Sequence, residues 1–268
     1  MSITLDMPVV ILAGGLGTRL ANETEYRPKP LVKVGHQPIL WHLMKIYAHH
    51  GFKNFIICLG YKGEMIREFF YHYRLNTGDV LLETAAERFT PLRSHQDEVD
   101  WKIILADTGK STMTGGRIKR IKDYVGSDEF LVTYGDGLAD IDIGAVVKAH
   151  RAHGGIGTVT GVHPTSRFGE LQVEGNLVTS FHEKLATDGW INGGFFVFNR
   201  KIFDYIDNDA AILEQAPLRR LTAERQLGIY HHPGFWQCMD TSREVELLNE
   251  LWNSGRPPWR IWSSSPAT

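Results

Sequence analysis

Pro8-Val9-Val10-Ile11-Leu12-Ala13-Gly14-Gly15-Leu16-Gly17-Thr18-Arg19-Leu20 is the stretch that decides the fold. Its apolar run, 8–13, shows no polar alternation, which predicts a strand buried on both faces in a helix-covered parallel sheet. The run stops at three glycines within four positions, where a backbone can approach a ligand closely and aim several N–H groups into one concavity. A helix start behind such a loop adds the partial positive charge that suits a phosphate. Arg19 adds a fixed cation with planar donors.

Outward from this stretch, apolar residues at 39, 40, 43, 44 and 47 predict a helix over 38–50, stopped by Gly51. Residues 54–60 read as the next buried strand and 64–73 as the next helix. Strand, helix, strand, helix with short connections defines an α/β fold with a doubly wound, mostly parallel, Rossmann-like sheet. Further strands are predicted at 101–106, 129–134, 157–162, 169–173, 177–183 and 193–198. Further helices are predicted at 115–125, 142–153, 201–206, 217–226 and 241–252. The strand-dense part, 157–198, predicts an antiparallel β addition within a single domain over 1–262, and 255–268 reads as an extended tail. Trp252, Trp259 and Trp262 are expected to pack that tail onto a partner.

Composition narrows the function classes. With 29 Lys+Arg against 31 Asp+Glu, the net charge of −2 gives no global basic field for nucleic acid or an anionic membrane. No run approaches the roughly 18 apolar residues of a membrane span. The acidic rather than basic start and two widely separated cysteines, Cys58 and Cys238, predict a reduced, cytoplasmic protein. The 27 glycines are in excess of the usual ~7%.

Three readings of the glycine loop compete with a plain tight turn. A dinucleotide fingerprint fails because Gly15-Leu16-Gly17-Thr18-Arg19 continues to Leu20 and the second strand ends without an acid, at Cys58-Leu59-Gly60. A P-loop ending at Gly109-Lys110-Ser111 fails because its first glycine would fall on Ile104, within a strand. A nucleotide cradle survives, and Arg27-Pro28-Lys29-Pro30 favours it. Two prolines hold one lysine on extended, rigid backbone, as a clamp on a triphosphate requires. Asp136 lies between Gly135 and Gly137 at a carboxyl strand end, where open α/β sheets bind ligands, and is a candidate metal ligand. Asp240, read alone, is an N-cap for the helix after it.

Leu12 to Leu20 followed by Arg27-Pro28-Lys29-Pro30 resembles the signature of the sugar-1-phosphate nucleotidyltransferases. Met113-Thr114-Gly115-Gly116-Arg117, Tyr134-Gly135-Asp136-Gly137, Ile191-Asn192-Gly193-Gly194-Phe195-Phe196 and Pro233-Gly234-Phe235-Trp236 extend the likeness in family order over nearly the whole chain. They draw it toward the branch that joins CTP to glucose 1-phosphate, yielding CDP-glucose and pyrophosphate. The resemblance implies a nucleotidyltransferase fold of the GT-A-like type and direct attack of a sugar-phosphate oxygen on the α-phosphorus. It implies that Leu12, Ala13, Gly14, Gly15, Gly17, Thr18, Arg19 and Lys29 cradle the nucleotide, while Thr114, Gly115, Gly116 and Arg117 cover it. An arginine fork at Arg117 would suit the acceptor edge of cytosine, and 109–117 has the composition of a loop that orders on binding. Tyr134, Glu183, Lys184, Asn192 and Gly193 are implied to hold the sugar phosphate, with Arg19, Lys29 and Lys184 catalytic. Asp136 with Asp240 is implied to bind Mg²⁺, and a homo-oligomer is expected. Leu185 departs from the family's Glu-Lys-Pro segment and leaves the Lys184 backbone less constrained. A different base, a different acceptor, or a catalytically silent subunit of the same fold are the alternatives.

Overall fold

The computed structural model describes residues 5–73, 75–94, 100–164, 170–174, 177–182 and 189–262. In chain order the larger elements are β1 (Val9–Leu12), α1 (Ile39–His49), β2 (Asn54–Leu59), α2 (Gly63–Tyr71), β3 (Gly78–Glu83), β4 (Arg88–Ser94) and β5 (Lys102–Asp107). They continue with α3 (Thr114–Arg120), β6 (Glu129–Tyr134), β7 (Gly137–Ala139), α4 (Ile143–His153), β8 (Gly157–Val162), β9 (Glu170–Glu174) and β10 (Leu177–His182). The last are β11 (Ile191–Asn199), α5 (Ala216–Ala223), β12 (Leu227–His232), β13 (Trp236–Cys238) and α6 (Ser242–Asn253).

A seven-stranded sheet runs β5-β2-β1-β6-β11-β8-β12. The β5-β2-β1-β6 part is wholly parallel. β11 enters antiparallel between β6 and β8, and β12 pairs parallel with β8 at the edge. Side chains alternate across the sheet as strand geometry demands. Val9, Ile11, Phe55, Ile57 and Leu131 join one apolar cluster, while Val10, Ile56, Cys58, Phe130 and Val132 join the other. That double burial is why β1 and β2 read as continuous apolar runs.

The strand order reverses beside β1: β2 lies on one flank, and β6, which follows more than 100 positions later, on the other. Open α/β sheets bind ligands at such a switch point, beyond the carboxyl ends of the strands. Leu12 and Tyr134, the last residues of β1 and β6, are register partners there. The glycine loop leaves from one and the Asp136 turn from the other.

Three parts of the sequence reading change. The β3–β4 hairpin was not foreseen; it is a separate two-stranded sheet with exposed Leu81, Leu82, Phe89 and Leu92. The helix predicted at 201–206 is a 3-10 stretch, Arg200–Tyr205. The described part of the tail, 256–262, folds back onto the chain's own core. Trp259 and Trp262 are buried in the core with α1, and the Trp259 indole N–H lies 3.5 Å from His42 Nδ1. A turn at Pro257–Ile261 brings them there.

Candidate active site

The glycine loop is held from behind. Gly17 has a φ of +66°, and its carbonyl accepts from Leu20 N and Thr24 Oγ1, closing the short turn onto Thr18–Leu20. Positive φ is the conformation glycine adopts without steric cost. Gly14 has no room for a side chain: a Cβ there would lie 2.2 Å from the Arg117 guanidinium. The loop forms one wall of a cleft of about 700 Å³ lined by Leu12, Ala13, Gly14, Gly15, Gly17, Thr18, Arg19 and Lys29. Across it lie Thr114, Arg117, Tyr134, Asp136, Asn192, Gly193 and Asp240.

Lys29 is presented by a 3-10 turn, Lys29–Leu31, whose preceding Pro28 is extended (φ −67°, ψ 147°). Its ammonium sits 2.5 Å from Asp136 Oδ2 and 2.5 Å from Asp240 Oδ1. Arg19 Nη1 lies 2.8 Å from Asp240 Oδ2. Burial pulls the Lys29 pKa down, but the ion pairs with Asp136 and Asp240 outweigh it and raise it above its ordinary value. Asp240 is not the N-cap of α6. Thr241 is, and the Glu244 carboxylate accepts from the backbone N–H of both Asp240 (2.6 Å) and Thr241 (2.9 Å). That leaves the Asp240 carboxylate for the cleft. Its approach to Asp136 is fixed by the β7–β13 pairing and by Met239 N donating to Asp136 O at 2.9 Å.

Two carboxylates converging on one cation are the donor set a hard, oxygen-seeking Mg²⁺ accepts. The Lys29 ammonium stands at that point of convergence, so the residues fit a divalent ion. Among the described residues no cluster of three or more His, Cys, Asp or Glu forms a metal cage.

The nucleotide segment differs from its expected form. Residues 109–117 are not one loop, because α3 begins at Thr114. Gly115 and Gly116 face away from the cleft: a Cβ at either would meet backbone of Ala211 or Asp209 at 2.8 and 2.5 Å. Their N–H groups donate to Ala211 O at 2.9 and 3.2 Å. Arg117, 4% exposed, does not offer a free fork to a base. Nη1 donates to Leu59 O (3.0 Å), Thr108 Oγ1 (2.7 Å) and Gly109 O (2.8 Å), and Nη2 donates to Gly14 O (3.0 Å) and Lys110 O (3.4 Å). Burial lowers its pKa, and these oxygens are the compensation a buried guanidinium needs.

Asn192 is oriented by Gly194 N donating to Oδ1 at 2.9 Å and by its own Nδ2 donating to Tyr134 Oη at 3.2 Å. Gly193 O accepts from Trp236 Nε1 at 2.8 Å. Glu183 and Lys184 lie outside the described residues, as does Leu185. Sequence reasoning missed Glu214 and Trp236 as cleft residues, while Lys110 and Ser111, inside the predicted 109–117 loop but given no role of their own, also line the cleft. Glu214 stands in Leu213-Glu214-Gln215, where nothing local marks it.

A glycine loop at the switch point, a proline-framed lysine and a carboxylate pair define a class of phosphoryl-handling enzyme, and a family model described as nucleotidyl transferase matches residues 8–226. The chain belongs to that family. It is 51% identical over 259 residues to the glucose-1-phosphate cytidylyltransferase of Salmonella typhi, across 96% of this chain and 100% of that one. HddC from Yersinia pseudotuberculosis superposes with a TM-score of 0.64 at 25% identity, covering 92% of this chain and 99% of that one. The UTP-bound UGPase of Acinetobacter baumannii gives 0.68 at 15% identity over 95% and 96%, a likeness of fold alone.

Proposed function

We propose that the chain transfers a cytidylyl group from CTP to α-D-glucose 1-phosphate, releasing pyrophosphate, with Mg²⁺ held by Asp136 and Asp240. The observation that carries this reading is the convergence of Lys29, Arg19, Asp136 and Asp240 beside the glycine loop at the switch point. The identity to the Salmonella typhi enzyme supports the choice of base and sugar. Displacement at phosphorus asks the protein for positioning and charge neutralisation more than for proton transfer.

In this reading the backbone of Gly14, Gly15 and Gly17 cradles the triphosphate, and Arg19 and Lys29 offset its charge. Mg²⁺, when bound, neutralises phosphate oxygens. Lys184 holds the sugar phosphate, while Glu183, Asn192, Gly193 and Tyr134 orient the sugar. Thr114 and the segment ending at Arg117 flank the nucleotide, Arg117 acting through the Gly14 and Gly109 carbonyls it holds rather than as a free fork. Gly115 and Gly116 support that wall by packing on 209–211. Free thiols at Cys58 and Cys238 suit the cytoplasmic setting we propose. No helix among the described residues is long and apolar enough to cross a membrane. A homo-oligomer completes the proposal, supported by the apolar side chains exposed on β3 and β4.

The test is pyrophosphate release across a matrix of nucleoside triphosphates and sugar 1-phosphates. CTP with glucose 1-phosphate is expected to give the highest kcat/KM. Equal values for CTP and UTP would overturn the base assignment and leave the reaction class standing.

A further inference from the structure

Glu214 has no part in the reading above, yet it sits in the cleft wall between the two groups of residues assigned to the two substrates. Its Oε2 accepts from Thr114 Oγ1 at 2.8 Å, and its Oε1 accepts from the Tyr134 hydroxyl. Beyond Thr114, the Leu213 N–H donates to Thr114 Oγ1 at 2.9 Å. Beyond Tyr134, Asn192 Nδ2 donates to the phenol oxygen at 3.2 Å, and the Gly194 N–H donates to Asn192 Oδ1 at 2.9 Å.

Every donor in this chain points toward Glu214. An ionised carboxylate accepts at both oxygens and donates at neither, so it can terminate a hydrogen-bond chain from two sides. Both hydroxyl protons are thereby committed. Thr114 and Tyr134 can turn only lone pairs toward a ligand, and the remaining N–H of Asn192 is the donor left for the cleft.

We propose that Glu214 is a positioning residue that fixes the hydrogen-bond polarity of Thr114 on the nucleotide side and of Tyr134 and Asn192 on the sugar side together. The proposal rests on the assignment of those two sides made above. It makes a specific statement about coupling: a change at Thr114 is felt at Asn192 through the carboxylate. The intervening bonds are 2.8 Å and 3.2 Å at the two ends, with the phenol donating to Glu214 between them.

Glutamine at 214 keeps the shape but holds only one acceptor. If its amide N–H₂ faces Thr114, that hydroxyl must turn its proton into the cleft. If it faces Tyr134, the phenol loses its acceptor and Asn192 loses its orientation. Either way the polarity at one end is reversed while the packing is kept.

The experiment is a double-mutant cycle of Thr114→Ala and Asn192→Ala in kcat/KM, run in the parent protein and again with Glu214→Gln. It uses whichever nucleotide and sugar phosphate react best. In the parent the two losses should deviate from a simple product by about threefold or more, as residues of one network do. With Glu214→Gln they should multiply independently. Tyr134→Phe, which removes the middle hydroxyl, should abolish the coupling as well, and it serves if the Gln variant folds poorly. Independent losses in the parent, or coupling that survives both substitutions, would overturn the proposal. A parent inactive on every substrate pair would overturn the proposed function and this inference with it. A parent active without coupling would overturn this inference alone.

Discussion

Lys29 occupies the point on which Asp136 and Asp240 converge, 2.5 Å from each. The ammonium acts there as a built-in counterion that keeps two nearby carboxylates tolerable in a partly buried cleft. In the reaction proposed above, an entering triphosphate would give the same ammonium a more highly charged partner, and its departure would open both carboxylates. Lys29→Met should lower kcat by about 10²–10³, the range seen when a preorganised donor is removed. It should also strengthen Mn²⁺ binding to the protein alone, read by electron paramagnetic resonance, because the internal cation is gone. Metal binding unchanged by the substitution would count against the counterion role. Asp136→Asn should cut turnover comparably with an intact fold, checked by pyrophosphate release and circular dichroism.

At the scale of elements, one guanidinium joins three segments: the glycine loop at Gly14, the end of β2 at Leu59, and the stretch Thr108–Lys110. Lysine keeps the charge but not the planar fork. Arg117→Lys should therefore cost at least about 2 kcal/mol, the scale of losing charged hydrogen bonds from a buried site. Amide exchange should accelerate at Gly14–Leu16 and Gly109–Thr112 while β12 stays protected; uniform exchange across the chain would refute this local role. The same scale shows what was legible beforehand. β1 and β2 could be read because burial on both faces leaves continuous apolar runs, and α1 because apolar residues at helical spacing mark its buried side. The β3–β4 hairpin could not, since its apolar residues are exposed and Pro91 interrupts β4. Lys29, Asp136 and Asp240 were legible through their proline and glycine neighbours or through family likeness. Glu214 and the true Arg117 geometry were not, because both depend on contacts about 80 or more positions away, with Tyr134 and Gly14.

Across the whole molecule, the C-terminal tryptophans close over α1 around a fully buried histidine. His42 donates from Nε2 to Val34 O at 2.8 Å and faces the Trp259 indole with Nδ1, an arrangement for the neutral ring. Burial pushes its pKa down to about 4, against 6.5 for an ordinary histidine. A depressed histidine pKa means that the unfolded chain binds the proton first, so stability is complete above about pH 6.5 and falls as pH drops toward 4. The full effect is about 3 kcal/mol, of which about 2 is lost by pH 5. Urea unfolding at pH 7 and pH 5 should show His42→Asn less pH-sensitive by that amount. Equal pH dependence in the two proteins would rule the histidine out as the source.

The switch point also orders events in time. β1 is the first of the described strands along the chain, yet it becomes central only after β6 arrives more than 100 residues later. The carboxylate pair is later still, since Asp240 follows the end of the family match at residue 226. A chain emerging from the ribosome thus carries its glycine loop long before Asp240. In the proposed reaction, a nascent chain that has not reached Asp240 has the loop that holds phosphate but lacks the carboxylate pair that holds the metal.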